Sequence, residues 1–456
     1  MDVITIHGGR PLRGTIQAAG SKNAALPIMA ASILASEPVV LRNVPDVTDV
    51  DTLALVLGYL GVEVLRDRQG LLHLNTVDAS QVRADFELVS RMRASFCVLG
   101  PLLARRGKAI VALPGGCRIG PRPVDLHLKG LAALGADIQL KDAYVIARAK
   151  ALHGAKIDLI GPRGPTVTGT ANVLSAAVLA HGETVIRGAT HEPEIVDLGE
   201  FLISLGARID GLGTNTLRIR GVSELGGMES AAYPIIPDRM EGGTMLLAAA
   251  TTGGDVTVSG CRPEHLDSFL GVLDDAGIAI QIGSDWIRAR ASLRPLSFHT
   301  TALPYPGFPT DLQAPLTALA ALADGESTIT DCVFPQRFSH VEELQRLGAK
   351  IERSGATATI VGVDGLHGNP FDRGPVPIAA SDLRSGAALV LAGLSIDGQT
   401  MVREAHHLAR GYERFAEKLG CLGARIEAHR RASYISGIAT QSRWSEYEPT
   451  FAASRA

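Results

Sequence analysis

The chain has 456 residues, 46% of them hydrophobic, 20% charged and only 4% aromatic. That length calls for two domains of roughly 200 residues each, with cores built from aliphatic side chains. A formal net charge of −3 excludes any global pull toward nucleic acid or an anionic membrane, so a polyanionic partner must be met by a local cluster.

The opening "MDVITIHGGR" reads as a strand running into a turn rather than as a signal peptide. Apolar stretches such as "AALPIMAASILA" are too short and interrupted to span a bilayer, and a cytoplasmic chain is expected. Next, "AGSKNAALP" (19–27) sets Ser21, Lys22 and Asn23 ahead of an apolar helix. An anion can use the first amides of such a helix together with Lys22. Taken alone, an ordinary Ser or Asn cap beside an exposed lysine is the simpler reading.

From here a unit of strand, polar loop, amphipathic helix, Leu-Gly-Ala-type turn and second strand recurs six times, from "VVLRNVPDVTDVDTLALVLGYLGVEVL" to "TMVREAHHLARGYERFAEKLGCLGARI". The turn glycines are Gly61, Gly135, Gly206, Gly277, Gly348 and Gly423, at intervals of 74, 71, 71, 71 and 75 residues. So regular a period marks structural repeats, and each glycine stands where a helix ends and a left-handed cap is needed. Between the units lie helices such as "NAALPIMAASILA" and "SGAALVLAGL", apolar nearly all round and therefore buried on every side. Three units per domain make an α/β protein around buried helices. A solenoid is the alternative, but the loops after the first strands differ as though each had its own task.

The second unit concentrates charge. From Arg91 to Lys129 the basic residues are Arg91, Arg93, Arg105, Arg106, Lys108, Arg118, Arg122 and Lys129, against the single acid Asp125. Solvated helix faces suffice to explain Arg105, Arg106 and Lys108. Arg118 and Arg122 instead sit in "LPGGCRIGPRPVDLH" (113–127), where Gly115 and Gly116 allow close backbone approach and Arg122 offers a planar fork for phosphate or carboxylate. Neither a P-loop nor a dinucleotide fingerprint is present. The five cysteines, Cys97, Cys117, Cys261, Cys332 and Cys421, are odd in number and widely spaced, so neither a disulfide framework nor a metal cluster is expected. Cys117, between Gly116 and Arg118, is badly placed for a core and has no His-plus-acid pair to make it a nucleophile. It suits a general acid, since an unperturbed thiol titrates near ~8.5 and is protonated at neutral pH.

Further along, "YPGFPTDLQAP" (305–315) offers Thr310 or Asp311 as a cap for a helix starting at Leu312, or Asp311 as a base. "ASDLRSGAALV" (380–390) and "LARGYERF" (408–415) set Asp382, Arg384 and Arg410 at helix starts. The polar tail from about Ala439 lies past the last repeat and reads as a flexible terminus.

The motifs "GSKNAALP", "LPGGCRIGPRPVDLH", "FPTDLQA", "VFPQRFSHVEELQRLGA", "SDLRSGAALVLAG" and "RGYER" resemble UDP-N-acetylglucosamine enolpyruvyl transferase, the 1-carboxyvinyltransferase that opens peptidoglycan synthesis. The resemblance runs over residues 1–436. It implies two inside-out α/β barrel domains, 22–236 and 1–21 plus 237–436, with the active site in the cleft between them and 437–456 as a flexible tail. The implied reaction moves enolpyruvate from phosphoenolpyruvate to the 3-hydroxyl of UDP-N-acetylglucosamine and releases phosphate, without cofactor or metal. On that pattern Cys117 is the proton donor, forms a covalent adduct with phosphoenolpyruvate and is alkylated by the epoxide fosfomycin, while Asp311 deprotonates the sugar hydroxyl. Lys22, Arg122 and Arg410 hold the phosphate and developing charge, with Arg93 and Arg384 nearby. Asn23 and Val333 contact the sugar, and Arg122, Pro123, Val124, Asp125 and Leu126 the nucleotide. Thr310, Arg337 and Asp382 line the cleft, and the Gly/Pro loop closes over it.

Two departures stand out. "LIGPRGPTVTG" lacks the lysine that the family directs at the diphosphate, so Arg163 is expected to reach it instead. Ala409 precedes Arg410 where the family has an acid. A transferase for another nucleotide acceptor is harder to exclude than the nearest rival in fold, a transferase for shikimate 3-phosphate. The latter ranks behind, because that relative has no cysteine in the loop and carries Lys-Ser where Lys22-Asn23 stand. A non-enzymatic repeat scaffold is the different-class alternative.

Overall fold

The computed structural model describes residues 2–114, 123–162, 164–291, 294–367 and 376–429. Cys117, Arg118, Arg122, Arg163 and the tail lie outside the described residues.

The repeat unit is plainest in the first copy. A central strand, Val39–Arg42, leads into the helix Thr48–Tyr59, and the chain turns at Gly61 into the hairpin Val62–Arg66 and Leu72–Thr76. The second hairpin strand pairs antiparallel with the central strand, the first lies outside it, and a fourth strand joins the other side in parallel. Among the described residues all six sheets have this strand order, with Val3–His7 standing in for the second hairpin strand beside Gln399–Arg403. The six turn glycines all adopt φ between +74° and +104°, the left-handed region in which a side chain is strained. The repeat therefore stands as read.

The expected closure into inside-out barrels is corrected here. Among the described residues the strands form six separate four-stranded sheets, and none closes into a barrel. The physical reason lies at the sheet edges. Asp137–Lys141, Ala279–Ile282, Lys350–Ser354 and Arg425–His429 each pair on one side only, and most of their residues are exposed. Charged, solvated edges of this kind oppose pairing between sheets.

Several sheets are completed by distant segments. Val3–His7 lies between Gln399–Arg403 and Arg425–His429, and Arg13–Gln17 joins Asp255–Ser259 in parallel. Met228–Pro234 returns to Val39–Arg42. Hydrophobic side chains gather in two cores, one drawn from residues between Ala24 and Ile236, the other from Ile4–Ala18 and Met240–Leu422. Where the chain crosses between them its two passes run side by side: Ser21 N–H donates to Ile236 O at 2.7 Å and Asp238 N–H to Ala19 O at 2.8 Å.

Each core is organised by the apolar helices. Arg239–Thr252, Gln313–Ala320 and Leu383–Ser395 pack on one another in the second core. In the first, Leu99–Arg106 meets Val167–Ala177 at Gly100, where an added Cβ would fall 2.1 Å from Asn172 O. Asn172 ties this crossing together: its Oδ1 accepts from Gly100 N–H at 2.7 Å, and its Nδ2 donates to Phe96 O at 3.0 Å and to His127 Nδ1 at 2.9 Å. Among the described residues no helix is long and apolar enough to cross a membrane.

Candidate active site

A cavity of about 290 Å³ opens between the two cores. Lys22 and Asn23 reach it from the first turn of the helix Lys22–Ala31, Asp49 from the helix Thr48–Tyr59, and Arg93 from the turn Arg93–Val98. From the other core come Thr310, Asp311, Val333, Arg337, Asp382, Arg384 and Arg410. Ten of the expected site residues thus line one space despite lying in six separate stretches of chain. Pro123, Val124, Asp125 and Leu126 do not line it. Pro123 is nonetheless tied to the wall, since its carbonyl accepts from Arg93 Nη2 at 3.1 Å. Leu126 lies against Gly161.

Two carboxylates, each held by two cations, dominate the electrostatics. Asp311 Oδ1 accepts from Arg337 Nη1 at 2.7 Å, and its Oδ2 accepts from Arg384 Nη2 at 2.8 Å. The capping alternative for this stretch fails. A single turn Thr310–Leu312 leads into the helix Gln313–Ala320 with no side-chain cap, and Thr310 Oγ1 donates to Asp331 Oδ2 instead. Burial opposes charge on Asp311, yet the two guanidiniums hold its carboxyl well below the usual carboxylate range. Arg384 is 3% exposed and lies over the Tyr412 ring at 5.2 Å, and among the described residues its Nε and Nη1 have no hydrogen-bond partner. Such a buried cation with spare donors suits an incoming anion.

The second carboxylate is Asp49. Its Oδ2 pairs with Lys22 Nζ at 3.0 Å and its Oδ1 with Arg410 Nε at 2.9 Å. Burial again opposes its charge, but Lys22 and Arg410 hold it below its ordinary range. Ser21 does cap the helix, accepting from Ala24 N–H at 3.3 Å. Lys22, however, is buried against Asp49 rather than exposed, which removes the simple cap-and-surface-lysine reading. Asp382 is a true cap, accepting from Arg384 N–H at 2.8 Å and Ser385 N–H at 3.2 Å.

Sequence reasoning missed Asp49 and the wall formed by Glu192, Glu194, Arg239 and Tyr305. Glu194 takes Arg239 through both oxygens, at 2.9 and 3.1 Å, and Tyr305 lies 5.3 Å from the same guanidinium. An acid in the loop-to-helix step of the first unit, "VPDVTDVDT", was the available signal for Asp49. Cys97 also lines the cavity, but burial pushes its thiol up to about 12, so it stays protonated and unreactive. His127, the last residue of the cysteine stretch, is held neutral: burial, helped by Arg93, pushes it down to about 3. Its Nδ1 accepts from Asn172, so its proton sits on Nε2, 3.2 Å from Thr168 Oγ1 on the cavity wall. Among the described residues no His, Cys, Asp and Glu cluster suited to a metal ion occurs.

A two-core α/β protein that converges six cations and five carboxylates on one cleft belongs to the class that binds small charged ligands. Comparison with known proteins gives that class its family. The family profile described as EPSP synthase (3-phosphoshikimate 1-carboxyvinyltransferase) matches residues 6–419, and the chain belongs to this family of enolpyruvyl transferases. It is similar to the enolpyruvyl transferase NikO from Streptomyces tendae, with 27% identity and a TM-score of 0.81 over 93% of this chain and 98% of that one. EPSP synthase from Acinetobacter baumannii shares the fold, at 18% identity and a TM-score of 0.71 over 94% and 99% of the two chains.

Proposed function

We propose that the chain transfers the enolpyruvyl group of phosphoenolpyruvate to a hydroxyl of a phosphorylated acceptor, either a nucleotide other than UDP-N-acetylglucosamine or shikimate 3-phosphate. The observation that carries the reading is the convergence of Lys22, Arg93, Arg337, Arg384 and Arg410 with Asp311 on one cavity. The reaction needs that set. A base takes the hydroxyl proton as its oxygen bonds to C2 of phosphoenolpyruvate, and an acid protonates C3. The same carbon then loses a proton as the C2–O bond to phosphate breaks, and cations stabilise the departing dianion.

Asp311 is the base in this scheme, and Cys117, outside the described residues, is the acid. Lys22, Arg410 and Arg122 take the phosphate, and Asn23 and Val333 face the acceptor. The acceptor assignment is supported by the description of the family as 3-phosphoshikimate 1-carboxyvinyltransferase. It is supported too by the missing diphosphate lysine in "LIGPRGPTVTG". UDP-N-acetylglucosamine is the second reading, favoured by "LPGGCRIGPRPVDLH" and Lys22-Asn23. The division into domains 22–236 and 1–21 plus 237–436 belongs to the same proposal, supported by the membership of the two cores.

Phosphate release from phosphoenolpyruvate, measured with UMP, shikimate 3-phosphate, UDP-N-acetylglucosamine or no acceptor, tests the whole reading. Turnover with UMP or shikimate 3-phosphate is expected. Preference for UDP-N-acetylglucosamine selects the second reading, and no release with any of them refutes both.

A further inference from the structure

Asp49 lies in the first core and is 5% exposed, while Arg410, its partner at 2.9 Å, belongs to a turn of the second. Its other oxygen holds Lys22 at 3.0 Å. One buried carboxylate therefore stands between two cations from opposite sides of the cleft, both of them cavity-lining. Asp46 N–H adds a second link across the same seam, donating to Glu413 Oε1 at 2.8 Å. A carboxylate bracketed by an ammonium and a guanidinium has the same local chemistry as a bound phosphate oxygen pair. We infer that Asp49 is a positioning residue that acts as an internal counter-ion: it keeps the Lys22 and Arg410 bracket assembled when the cleft is empty and competes with phosphate for it, so that inorganic phosphate leaves after each turnover. The kinetic part of this inference rests on the reaction proposed above; the binding part does not.

The physical reasoning is an exchange. With Asp49 in place, an entering phosphate shares cations that are already neutralised, and its net gain is reduced by the pairing it weakens. Without the carboxylate, Lys22 and Arg410 lose the anion that they share, and an entering phosphate can take its place between them. Removing Asp49 should thus tighten anion binding while slowing turnover, because product phosphate is held. A residue that merely supported the fold would weaken binding, or leave it unchanged, as activity fell.

The test compares wild type with Asp49→Asn, which keeps the shape and removes the charge. Titration calorimetry with inorganic phosphate is expected to give a Kd at least fivefold lower in the variant. Phosphate-release kinetics with the acceptor that wild type uses should show kcat at least tenfold lower, with KM for phosphoenolpyruvate unchanged or reduced. Asp49→Glu keeps the charge and should return phosphate affinity to within about twofold of wild type, and it carries the test if the Asn variant does not fold. Unchanged or weaker phosphate binding in Asp49→Asn, or tight binding in Asp49→Glu, overturns the inference. If wild type turns over none of the acceptors, the proposed reaction fails on its own, and the phosphate titration still decides the role of Asp49.

Discussion

Replacing Asp311 by Asn removes the anion that Arg337 and Arg384 share and leaves both guanidiniums in place. Those side chains are 8% and 3% exposed, so the change creates two buried cations without their partner. Removing one member of a buried ion pair costs about 3–5 kcal/mol. The cleft admits some water to Asp311, which is 24% exposed, and the amide oxygen still accepts one bond, so about 3 kcal/mol is the expected loss. The pH dependence has a definite sign. The folded-state pKa of Asp311 lies well below its ordinary value of 3.8, so its contribution is fully present above that value and is lost as pH falls through the lower folded one. The gap between wild type and Asp311→Asn should stay flat from roughly pH 8 to 5 and close only below about 4. Urea unfolding followed by Trp286, which lies in a strand of the second core, measures this once Trp444 is replaced by Phe. Added inorganic phosphate should recover part of the loss by occupying the freed arginines. A gap under about 1 kcal/mol at pH 7, or one that closes between pH 5 and 8, refutes the reasoning.

Gly100→Ala would set a Cβ 2.1 Å from Asn172 O and force two core helices apart. A loss of about 1–3 kcal/mol is expected, read from the urea midpoint by far-UV circular dichroism, and an unchanged midpoint counts against the close crossing. By the proposed function, the arginines that neighbour Cys117 in the sequence, Arg118 and Arg122, favour its thiolate, and a bound phosphate dianion offsets them. Iodoacetamide alkylation as a function of pH should therefore give a higher apparent pKa with phosphoenolpyruvate present than without it, and equal values would dismiss substrate tuning of the acid. Arg163→Ala should raise KM for a nucleotide acceptor about tenfold, the loss of one charge-assisted hydrogen bond; an unaltered KM removes Arg163 from the acceptor site.

Some of this molecule is readable from one local stretch at a time. A helix apolar all round must be buried wherever it ends up, and a glycine at a helix end marks a left-handed turn, so six units could be counted before any contact was known. Lys22, Asp311 and Arg384 were also visible one by one, because each stands at a loop-to-helix step, and Arg410 because Gly411 follows it, although it closes the turn Ala405–Arg410 rather than starting a helix as expected. Their partners were not. Asp49 and Arg410 are 361 residues apart, and Asp311 and Arg384 are 73 apart. No periodicity encodes which acid meets which cation.

By itself the amino-acid order determined the repeat, the two kinds of helix and the types of side chain available for phosphate chemistry, since those follow from periodicity and residue chemistry acting over a few turns. Tertiary structure alone decided that the sheets stay open, because closure depends on edges such as Lys350–Ser354 meeting a partner, and these face solvent instead. It also decided that Asp311 is gripped by two arginines and that Lys22 is buried against Asp49. Long-range electrostatics and edge pairing are properties of surfaces brought together by folding, and no single segment carries them.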